Sequence, residues 1–396
     1  MSKINLETNN NIHIIKNQSQ EDYAKNIFNK ILNMSIDKNS SDIHMEPSSD
    51  NLIIRARIDG ELINILTLSM EIYPLISRFI KLSSGINITE KRIPQDGRMD
   101  VRVEQTNIDI RVSTVPTIYG EKLVLRLLNR ESFLKDKSEL GFSELAIDKI
   151  NKIINKKAGI LLVTGPTGSG KTTTVYSILN DLNKTSKNIM TIEDPVEYKM
   201  NGINQIQVSN KLGLTFDMGL RAILRQDPDI IMIGEIRDTE TAKIAIRAAT
   251  TGHLVISTIH TNDAISTIER LMEMEIPSYL ISSSIIGVIS QKLVKKTCEY
   301  CGYDIIVKDD LDEEINMKVA KDCNACNETG YLGRTVVYEI LEIDEDISNC
   351  ILEQKNSREI RDTAIKNGMI TFEESMNFSI INNENEANNY LAVNNN

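Results

Sequence analysis

The sequence predicts a fold of the α/β class, preceded by a smaller α+β domain. Three observations lead to this prediction. Short apolar runs alternate with helical stretches after Gly141, the glycine-rich segment GPTGSGKT follows one of these runs, and the neighbouring runs end in acidic or histidine side chains. Alternation of this kind is typical of a buried, largely parallel sheet that is covered by helices.

Composition and charge exclude several classes of protein. The 396 residues are 41% hydrophobic and 26% charged, which is the balance of a globular protein. The net charge of -11 argues against a general electrostatic attraction to nucleic acid or to an anionic membrane. No apolar run reaches the ~18 residues of a membrane-spanning helix, and the N-terminus lacks an apolar secretory segment. We therefore expect a cytoplasmic protein with no nucleic-acid partner and no direct membrane insertion.

Changes of pattern along the chain predict its domains. Apolar residues at helical spacing over 21–34, a hairpin turn at Asp59-Gly60 and alternating strands over 99–103 and 108–112 indicate an α+β domain. Asparagine-rich ends indicate disorder, and a charged, weakly patterned stretch indicates a linker. We expect a flexible arm over 1–20, an α+β domain over 21–130, a linker over 131–140, an α/β domain over 141–381 and a disordered tail over 382–396.

The segment after the apolar strand 159–164 matches the pattern GxxxxGK[ST] of a phosphate-binding loop. Its glycines permit backbone conformations that bring N–H groups close to a polyanion, and the following helix presents its positive end. Lys171 neutralises the outer phosphates, and the Thr172 hydroxyl is a ligand for Mg²⁺. The predicted nucleotide-binding residues are Gly165, Pro166, Thr167, Gly168, Ser169, Gly170, Lys171, Thr172 and Thr173.

Acidic residues follow two further predicted strands, 188–192 and 229–233. The second strand is followed by Gly234 and Glu235, and the first by a segment running from Glu193 to Glu197. Pro195 interrupts strand pairing, so we expect these acids to be exposed at the edge of the sheet. Ligands of open α/β sheets bind beyond the carboxyl ends of the strands, which is where both groups are expected.

Two histidines lie at either end of the predicted strand 253–259. His253 is its first residue, and His260 directly follows its carboxyl end, where it is a candidate sensor of a γ-phosphate. The alternative for each is a histidine that is hydrogen-bonded within the core or a turn.

Four of the five cysteines form two CxxC pairs, Cys298/Cys301 and Cys323/Cys326. Their spacing is typical of a tetrahedral Zn²⁺ site, and four thiolates leave no open ligand position, so we expect a structural zinc within a module over 292–335. The acidic run over 309–314 argues against contact with nucleic acid. Cys350 is expected to be a small buried residue.

Several motifs together resemble the secretion ATPases that drive type II secretion and type IV pilus assembly, the GspE and PilB family. The resemblance runs from about residue 41 to about residue 346. Its motifs are SDIHMEP, RIPQDGR, DIRVSTVP, GPTGSGKTTT, TIEDPVEY, LRAILRQDPDIIMIGEIRD, TGHLVISTIHT and TGYLGRTVVYEIL. The resemblance implies a RecA-like P-loop NTPase core, a PAS-like N-terminal α+β domain and the four-cysteine zinc module.

The resemblance also implies roles for individual residues. Glu197 matches the catalytic carboxylate of the family, and Glu235 matches the acid that, with Thr172, holds Mg²⁺. His253 and His260 match the family's histidine box.

The remaining matched residues are arginines. Arg98 and Arg111 match arginines that complete the site across an interface, and Arg221 and Arg225 match arginines that bind or relay. An arginine can stabilise the charge that develops on a transferring phosphoryl group.

The activity implied is that of a cytoplasmic motor, a hexamer that hydrolyses ATP to ADP and phosphate with Mg²⁺. It would power assembly of a type IV pilus or a type II secretion pseudopilus through an inner-membrane platform protein of the PilC/GspF type. One alternative is a PilT-like retraction ATPase, a type that characteristically lacks the four-cysteine module. Another is a nucleic-acid-dependent ATPase with a zinc ribbon, which the net acidity and the 5% aromatic content disfavour.

Overall fold

The computed structural model of the protein describes residues 20–103, 106–129, 135–308 and 314–381. The described residues form two compact units, one before residue 131 and one after it. The predicted tail over 382–396 lies outside the described residues, as does the predicted arm over 1–20 apart from Gln20. The acidic run over 309–314 is described only at Glu314.

In its described residues, the first unit is a six-stranded antiparallel sheet with two α-helices. The sheet has the order β3-β2-β1-β6-β5-β4. Its elements are α1 (Gln20–Asp37), β1 (Asp42–Pro47), β2 (Asn51–Ile58), β3 (Glu61–Ser69), α2 (Tyr73–Ser83), β4 (Gln95–Val103), β5 (Thr106–Thr117) and β6 (Gly120–Asn129). The predicted α+β class of this part is confirmed.

Local sequence explains how this unit closes its core. Every second residue of β2 is buried, as expected for a strand with one face on the core. Asp59 and Gly60 both have positive φ angles, +47° and +91°. Positive φ at both central residues is typical of the type I′ turn, which joins two antiparallel strands through a two-residue loop. Phe28 of α1 packs against Phe79 of α2 with ring centroids 5.4 Å apart, so the helices join over one face of the sheet.

Over the ranges 135–308 and 314–381, the second unit is a seven-stranded sheet with helices on both faces and a separate two-stranded hairpin. Its elements are α3 (Lys137–Leu140), α4 (Glu144–Ile154), β7 (Gly159–Thr164), α5 (Lys171–Leu182), β8 (Ile189–Glu193), β9 (Asn204–Gln207), α6 (Phe216–Ile223), β10 (Ile230–Ile233), α7 (Thr239–Thr250), β11 (Leu254–Ile259), α8 (Ala264–Glu273), α9 (Ser278–Ser284), β12 (Ile285–Thr297), β13 (Gly302–Lys308), β14 (Glu314–Ala320), β15 (Tyr331–Glu342), α10 (Glu345–Leu352), α11 (Ser357–Lys366) and α12 (Phe372–Ile381). The last four residues of the predicted linker are therefore helical.

The main sheet has the order β15-β12-β7-β11-β10-β8-β9. All of its neighbouring strands pair in parallel except β15, which is antiparallel to β12. All six residues of β7 are buried, because two hydrophobic clusters cover the two faces of the sheet. This confirms the predicted α/β class. Since β7, β11, β10 and β8 are parallel, their carboxyl ends meet at one edge.

No helix in the described ranges combines the length and the apolar character needed to cross a bilayer.

The first unit buries an ion pair whose removal tests its stability. Lys81 and Glu121 are 1% and 3% exposed, with Nζ 2.7 Å from a carboxylate oxygen. We expect Lys81→Met to lower the free energy of unfolding by about 3–5 kcal/mol, because it leaves the carboxylate of Glu121 buried without its partner. Urea unfolding followed by circular dichroism measures the loss.

A matched control for this ion pair lies on the surface. Arg92 is 87% exposed and its guanidinium lies 2.7 Å from the Glu90 carboxylate, so Arg92→Met should leave the urea midpoint close to that of the unmodified protein. The double variant Lys81→Met/Glu121→Leu should recover most of the loss. Equal costs for the two single variants would contradict the assignment.

Candidate functional site

The loop between β7 and α5 has a backbone that requires glycine at several positions. Gly165, Gly168 and Gly170 have φ angles of +140°, +80° and +85°. A Cβ atom on Gly165 would lie 2.2 Å from the backbone oxygen of Gln291, which excludes any side chain there. The Lys171 ammonium donates to the carbonyl oxygens of Gly165 and Pro166 at 2.7 and 3.0 Å, so it lies over the loop.

Gln291 of β12 supports this loop from the sheet. Its amide Nε2 donates to the carbonyl oxygen of Ser169 at 2.7 Å. Ser169 and Gln291 are 2% and 1% exposed, and Ser169 Oγ has no hydrogen-bond partner among the described residues. Gln291 was not identified from the sequence. It stands between Ser290 and Lys292 in β12, so its amide gives no signal that sets it apart from other polar residues of the strand.

Glu235, His260 and Lys171 are brought together at the carboxyl edge of the sheet. The Glu235 carboxylate pairs with Arg237 and lies 3.6 Å from Nε2 of His260. Burial lowers the pKa of Lys171, and the nearby charge of Glu235 opposes this effect. Burial and the positive charge of Lys171 lower the pKa of His260, so its ring is neutral near pH 7.

Hydrogen bonds beyond the ends of the strands hold these loops together. The backbone N–H of Ile236 donates to the carbonyl of Thr258 at 2.9 Å, and the Thr258 hydroxyl donates to the carbonyl of Gly234 at 2.6 Å. The backbone N–H of Thr261 donates to the hydroxyl of Thr164 at 2.9 Å. The loops that follow β7, β11 and β10 are therefore fixed to one another.

The acidic segment after β8 differs from the prediction that all its acids are exposed. Glu193 is only 3% exposed, because its carboxylate points into a cluster of polar groups beneath the loop. It accepts hydrogen bonds from the hydroxyls of Tyr176 and Thr191, both at 2.5 Å, and from Nε2 of Gln205 at 3.2 Å. Burial raises the pKa of Glu193, and these three donors oppose the rise.

The rest of this segment is at the same edge of the sheet. Asp194 is exposed, and its charge contributes to raising the pKa of Arg237. Glu197 is partly exposed, and its backbone N–H donates to the Tyr176 hydroxyl at 3.2 Å. Tyr176 was not identified from the sequence, since a buried tyrosine in a helix gives no signal beyond that of a core residue.

The structure does not bring His253 together with Lys171, Glu235 and His260. His253 precedes β11, whose six residues span about 20 Å, so it lies at the opposite edge of the sheet from His260. Its Nδ1 is 2.9 Å from the carbonyl oxygen of Ala248 at the end of α7. This hydrogen bond corresponds to the turn histidine that we kept as the alternative.

Arg221 and Arg225 lie beside α7, in a groove that runs along this helix from Glu240 to His253. Together with Lys243, Arg247 and His253 they line a cavity of about 630 Å³ between α6 and α7. Arg221 pairs with Glu240. Lys171, Glu235 and His260 are not among the described residues that line this cavity.

Arg98 and Arg111 belong to the first unit, where they are neighbours. They are directly opposite each other on β4 and β5, so their side chains share one face of the sheet. The Arg98 guanidinium makes a two-point contact with Asp109, with Nε 2.8 Å from Oδ1. Asp109 is 1% exposed and so fixes the orientation of Arg98.

The four cysteines of the two CxxC pairs form one cluster, with all their Sγ atoms within 4.8 Å of one another. The Sγ distances are 3.9 Å for Cys298–Cys323, 3.8 Å for Cys301–Cys326 and 3.6 Å for Cys323–Cys326. Four sulfurs at the Zn–S bond length around a tetrahedral zinc are about 3.8 Å apart. The donor set and its spacing therefore fit zinc.

Cys350 is buried and lies outside this cluster, as predicted, with Sγ 3.7 Å from the Thr363 hydroxyl.

Comparison with known proteins identifies the family. Residues 17–390 match the family described as Type II/IV secretion system protein. The chain is 44% identical over 364 residues to the type IV pilus assembly ATPase PilB of Thermus thermophilus, covering 89% of this chain and 41% of that protein. It is 45% identical over 351 residues to the type II secretion system protein E of Pseudomonas aeruginosa, covering 86% of this chain and 70% of that protein.

A solved structure of the pilus retraction motor PilT with bound ADP is also similar, with a TM-score of 0.60 and 28% identity. The match covers 88% of this chain and 96% of that chain. The chain spans less than half the length of the Thermus protein. The family pattern covers both compact units described above, and the chain belongs to the Type II/IV secretion system protein family.

Proposed function

We propose that the protein is an ATPase that hydrolyses ATP to ADP and phosphate and uses the energy to assemble a type IV pilus or a type II secretion pseudopilus. The observation that supports this most is the common edge of the sheet. There the glycine loop and Lys171 lie beside Glu235 and His260, and the segment bearing Glu197 follows the next strand along. Hydrolysis of a phosphoanhydride needs cations, a metal-binding acid and a water-orienting carboxylate together.

Each residue has a role that follows from its chemistry. The loop N–H groups and Lys171 bind the phosphates. The hydroxyl of Ser169 has no hydrogen-bond partner among the described residues and would donate to a phosphate oxygen. Glu197 orients and deprotonates the attacking water, and neutral His260 contacts the γ-phosphate.

Mg²⁺ would be held by the Thr172 hydroxyl at the start of α5 and by Glu235. When bound, it neutralises the charge on the phosphate oxygens. The fit rests on the oxygen donors of these two side chains, which are the type that Mg²⁺ prefers.

Arg98 and Arg111 are proposed to stabilise the charge that develops on the transferring phosphoryl group. Their contribution rests on the family resemblance and on the pairing of Arg98 with Asp109, which aligns the guanidinium before it binds.

The assembly that this ATPase drives is proposed from the names of its relatives. The Thermus protein is named a pilus assembly ATPase and the Pseudomonas protein a type II secretion protein. We propose a hexamer in the cytoplasm that transmits its motion to an inner-membrane platform protein of the PilC/GspF type. A retraction motor is the second candidate, because the match to PilT covers 96% of that chain. The four-cysteine cluster favours the assembly and secretion motors, since retraction motors characteristically lack it.

Glu197 provides the direct test of catalysis. We expect Glu197→Gln to lower the steady-state turnover of ATP by about 10²–10⁴-fold, because the amide cannot accept a proton from water. Binding of a fluorescent ADP analogue should stay within about twofold, since the phosphate loop is unchanged. Phosphate release gives the turnover. The control is Glu373→Gln, an exposed residue of α12, and full turnover in the Glu197 variant would contradict the assigned role.

Gly165 tests whether the loop geometry is needed for nucleotide binding. Gly165→Ala places a methyl group against the Gln291 carbonyl, and overpacking of this kind costs about 1–3 kcal/mol or more. We expect the affinity for the ADP analogue to fall by about 5–100-fold, since every 1.4 kcal/mol is a factor of ten. Gly213→Ala is the control, because Gly213 also has a positive φ of +73° but no atom within 4 Å of a new Cβ. Equal affinities for the two variants would contradict the proposal.

The metal cluster is tested by zinc content. We expect native mass spectrometry to detect one zinc per chain, with its loss in Cys323→Ser, because one missing thiolate opens a structural site. Cys350→Ala should retain the zinc, since Cys350 lies outside the cluster. Protein without zinc, or zinc retained by the Cys323 variant, would contradict the assignment.

A further inference from the structure

A buried tyrosine connects the helix of the phosphate loop with the segment that bears Glu197. Tyr176 is on α5, five positions after Lys171, and its side chain is 0% exposed. Its hydroxyl is 2.5 Å from Oε2 of Glu193, 3.2 Å from the backbone nitrogen of Glu197 and 3.4 Å from that of Tyr198.

We propose that Tyr176 and Glu193 are positioning residues that hold the backbone at Glu197 in place relative to the phosphate loop. The inference deepens the proposed function and rests on it, because it assumes that Glu197 acts on the attacking water. Neither residue is proposed to contact the nucleotide or the water.

The hydrogen-bonding capacity of a hydroxyl matches this arrangement. A tyrosine hydroxyl has one proton to donate and two lone pairs that accept. The Glu193 carboxylate takes the proton, and the N–H groups of Glu197 and Tyr198 donate to the oxygen. One atom thereby fixes two consecutive backbone groups of the segment to the helix that follows Lys171.

Gln205 of β9 holds the same segment from the other side. Its Nε2 donates to Oε1 of Glu193 at 3.2 Å and to the carbonyl oxygen of Tyr198 at 2.9 Å. Its Oε1 accepts from the backbone N–H of Met200 at 2.8 Å. The backbone from 197 to 200 is therefore bound at several points to side chains of α5 and β9.

Glu193 is the centre of this cluster. Its carboxylate is almost completely buried and is solvated by three side-chain donors instead of water, from Tyr176, Thr191 and Gln205. A buried carboxylate is costly unless such donors are present, so removing one donor disturbs the whole cluster. A phenylalanine would fill the core at position 176 equally well, which points to a use for the hydroxyl beyond packing.

The expected effect of losing the hydroxyl is on turnover and not on binding. The two N–H groups lose their acceptor and the segment shifts, and a displacement of about 1 Å at a catalytic group costs on the order of 10²-fold in rate. We expect Tyr176→Phe to lower the turnover number of ATP by about 10–100-fold, while the dissociation constant of the fluorescent ADP analogue stays within about twofold.

Tyr338→Phe is the matched control. Tyr338 is 1% exposed, and its hydroxyl donates to Ser143 Oγ at 2.9 Å and accepts from the Ser143 N–H at 3.0 Å. It is thus a buried tyrosine of the same unit whose hydroxyl makes a comparable set of hydrogen bonds, but makes them to Ser143 before α4 and not to the segment that bears Glu197. A purely structural hydroxyl at position 176 would give the same result as Tyr338→Phe, which is a lower urea midpoint with unchanged turnover. That outcome would overturn the inference.

The second test is coupling to Glu197, measured in single turnovers with enzyme in excess. If Tyr176 acts through Glu197, Tyr176→Phe should cause no further loss in the Glu197→Gln background. If the rate losses of the two single variants multiply in the double variant, the inference is overturned. Gln205→Met disturbs the same segment from β9 and leaves α5 unchanged. It should also reduce turnover, and it should cause no further loss in the Glu197→Gln background.

Failure of this inference differs from failure of the proposed function. If Glu197→Gln keeps full turnover, the catalytic assignment fails and the inference fails with it. If Glu197→Gln loses turnover while Tyr176→Phe and Gln205→Met keep it, the inference alone fails.

Discussion

The site depends on the parallel pairing of β7, β11, β10 and β8. Parallel pairing places the carboxyl ends of these four strands at one edge of the sheet. These ends are far apart in the sequence, since β8 ends at Glu193 and its neighbour β10 begins at Ile230. Because these strands are buried on both faces, a change of register would move apolar side chains out of two hydrophobic clusters at once. The positions of Lys171, Glu235 and His260 therefore follow from the core and do not depend on flexible loops.

Much of the fold could be predicted because its signals are local. The strand 159–164 was predicted with the bounds that β7 has, since it is a continuous apolar run between a glycine and a glycine loop. The hairpin at Asp59 and Gly60 was predicted because only a few residue types adopt positive φ readily. The zinc cluster followed from cysteine spacing, which leaves few alternatives to a shared metal.

The contacts around Glu193 could not be predicted, because they join residues far apart in the sequence. Glu193 was predicted to be one acid in an exposed run, but Tyr176 and Gln205 approach it from α5 and β9 and shield it from water. Gln291 is another such case, since it reaches the phosphate loop from β12, 122 residues away. His253 is a different case. The matched motif places two histidines at the ends of one strand, and the length of that strand alone puts them at different edges of the sheet.

The role of the metal cluster can be argued from the hairpin beside it. In the described part of the chain, β13 and β14 pair with each other and with no third strand, and a two-stranded hairpin needs support beyond its own pairing to be stable in water. Cys298 and Cys301 precede β13, and Cys323 and Cys326 follow β14, so a shared metal would close both ends of the hairpin at its base. The N–H of Gly330 donates to the sulfur of Cys326 at 3.2 Å, an interaction that stabilises a thiolate. Because Gln291 and Cys298 lie on or directly after the single strand β12, the same strand that supports the phosphate loop also anchors the hairpin, and a metal that orders the hairpin would also restrain the end of β12.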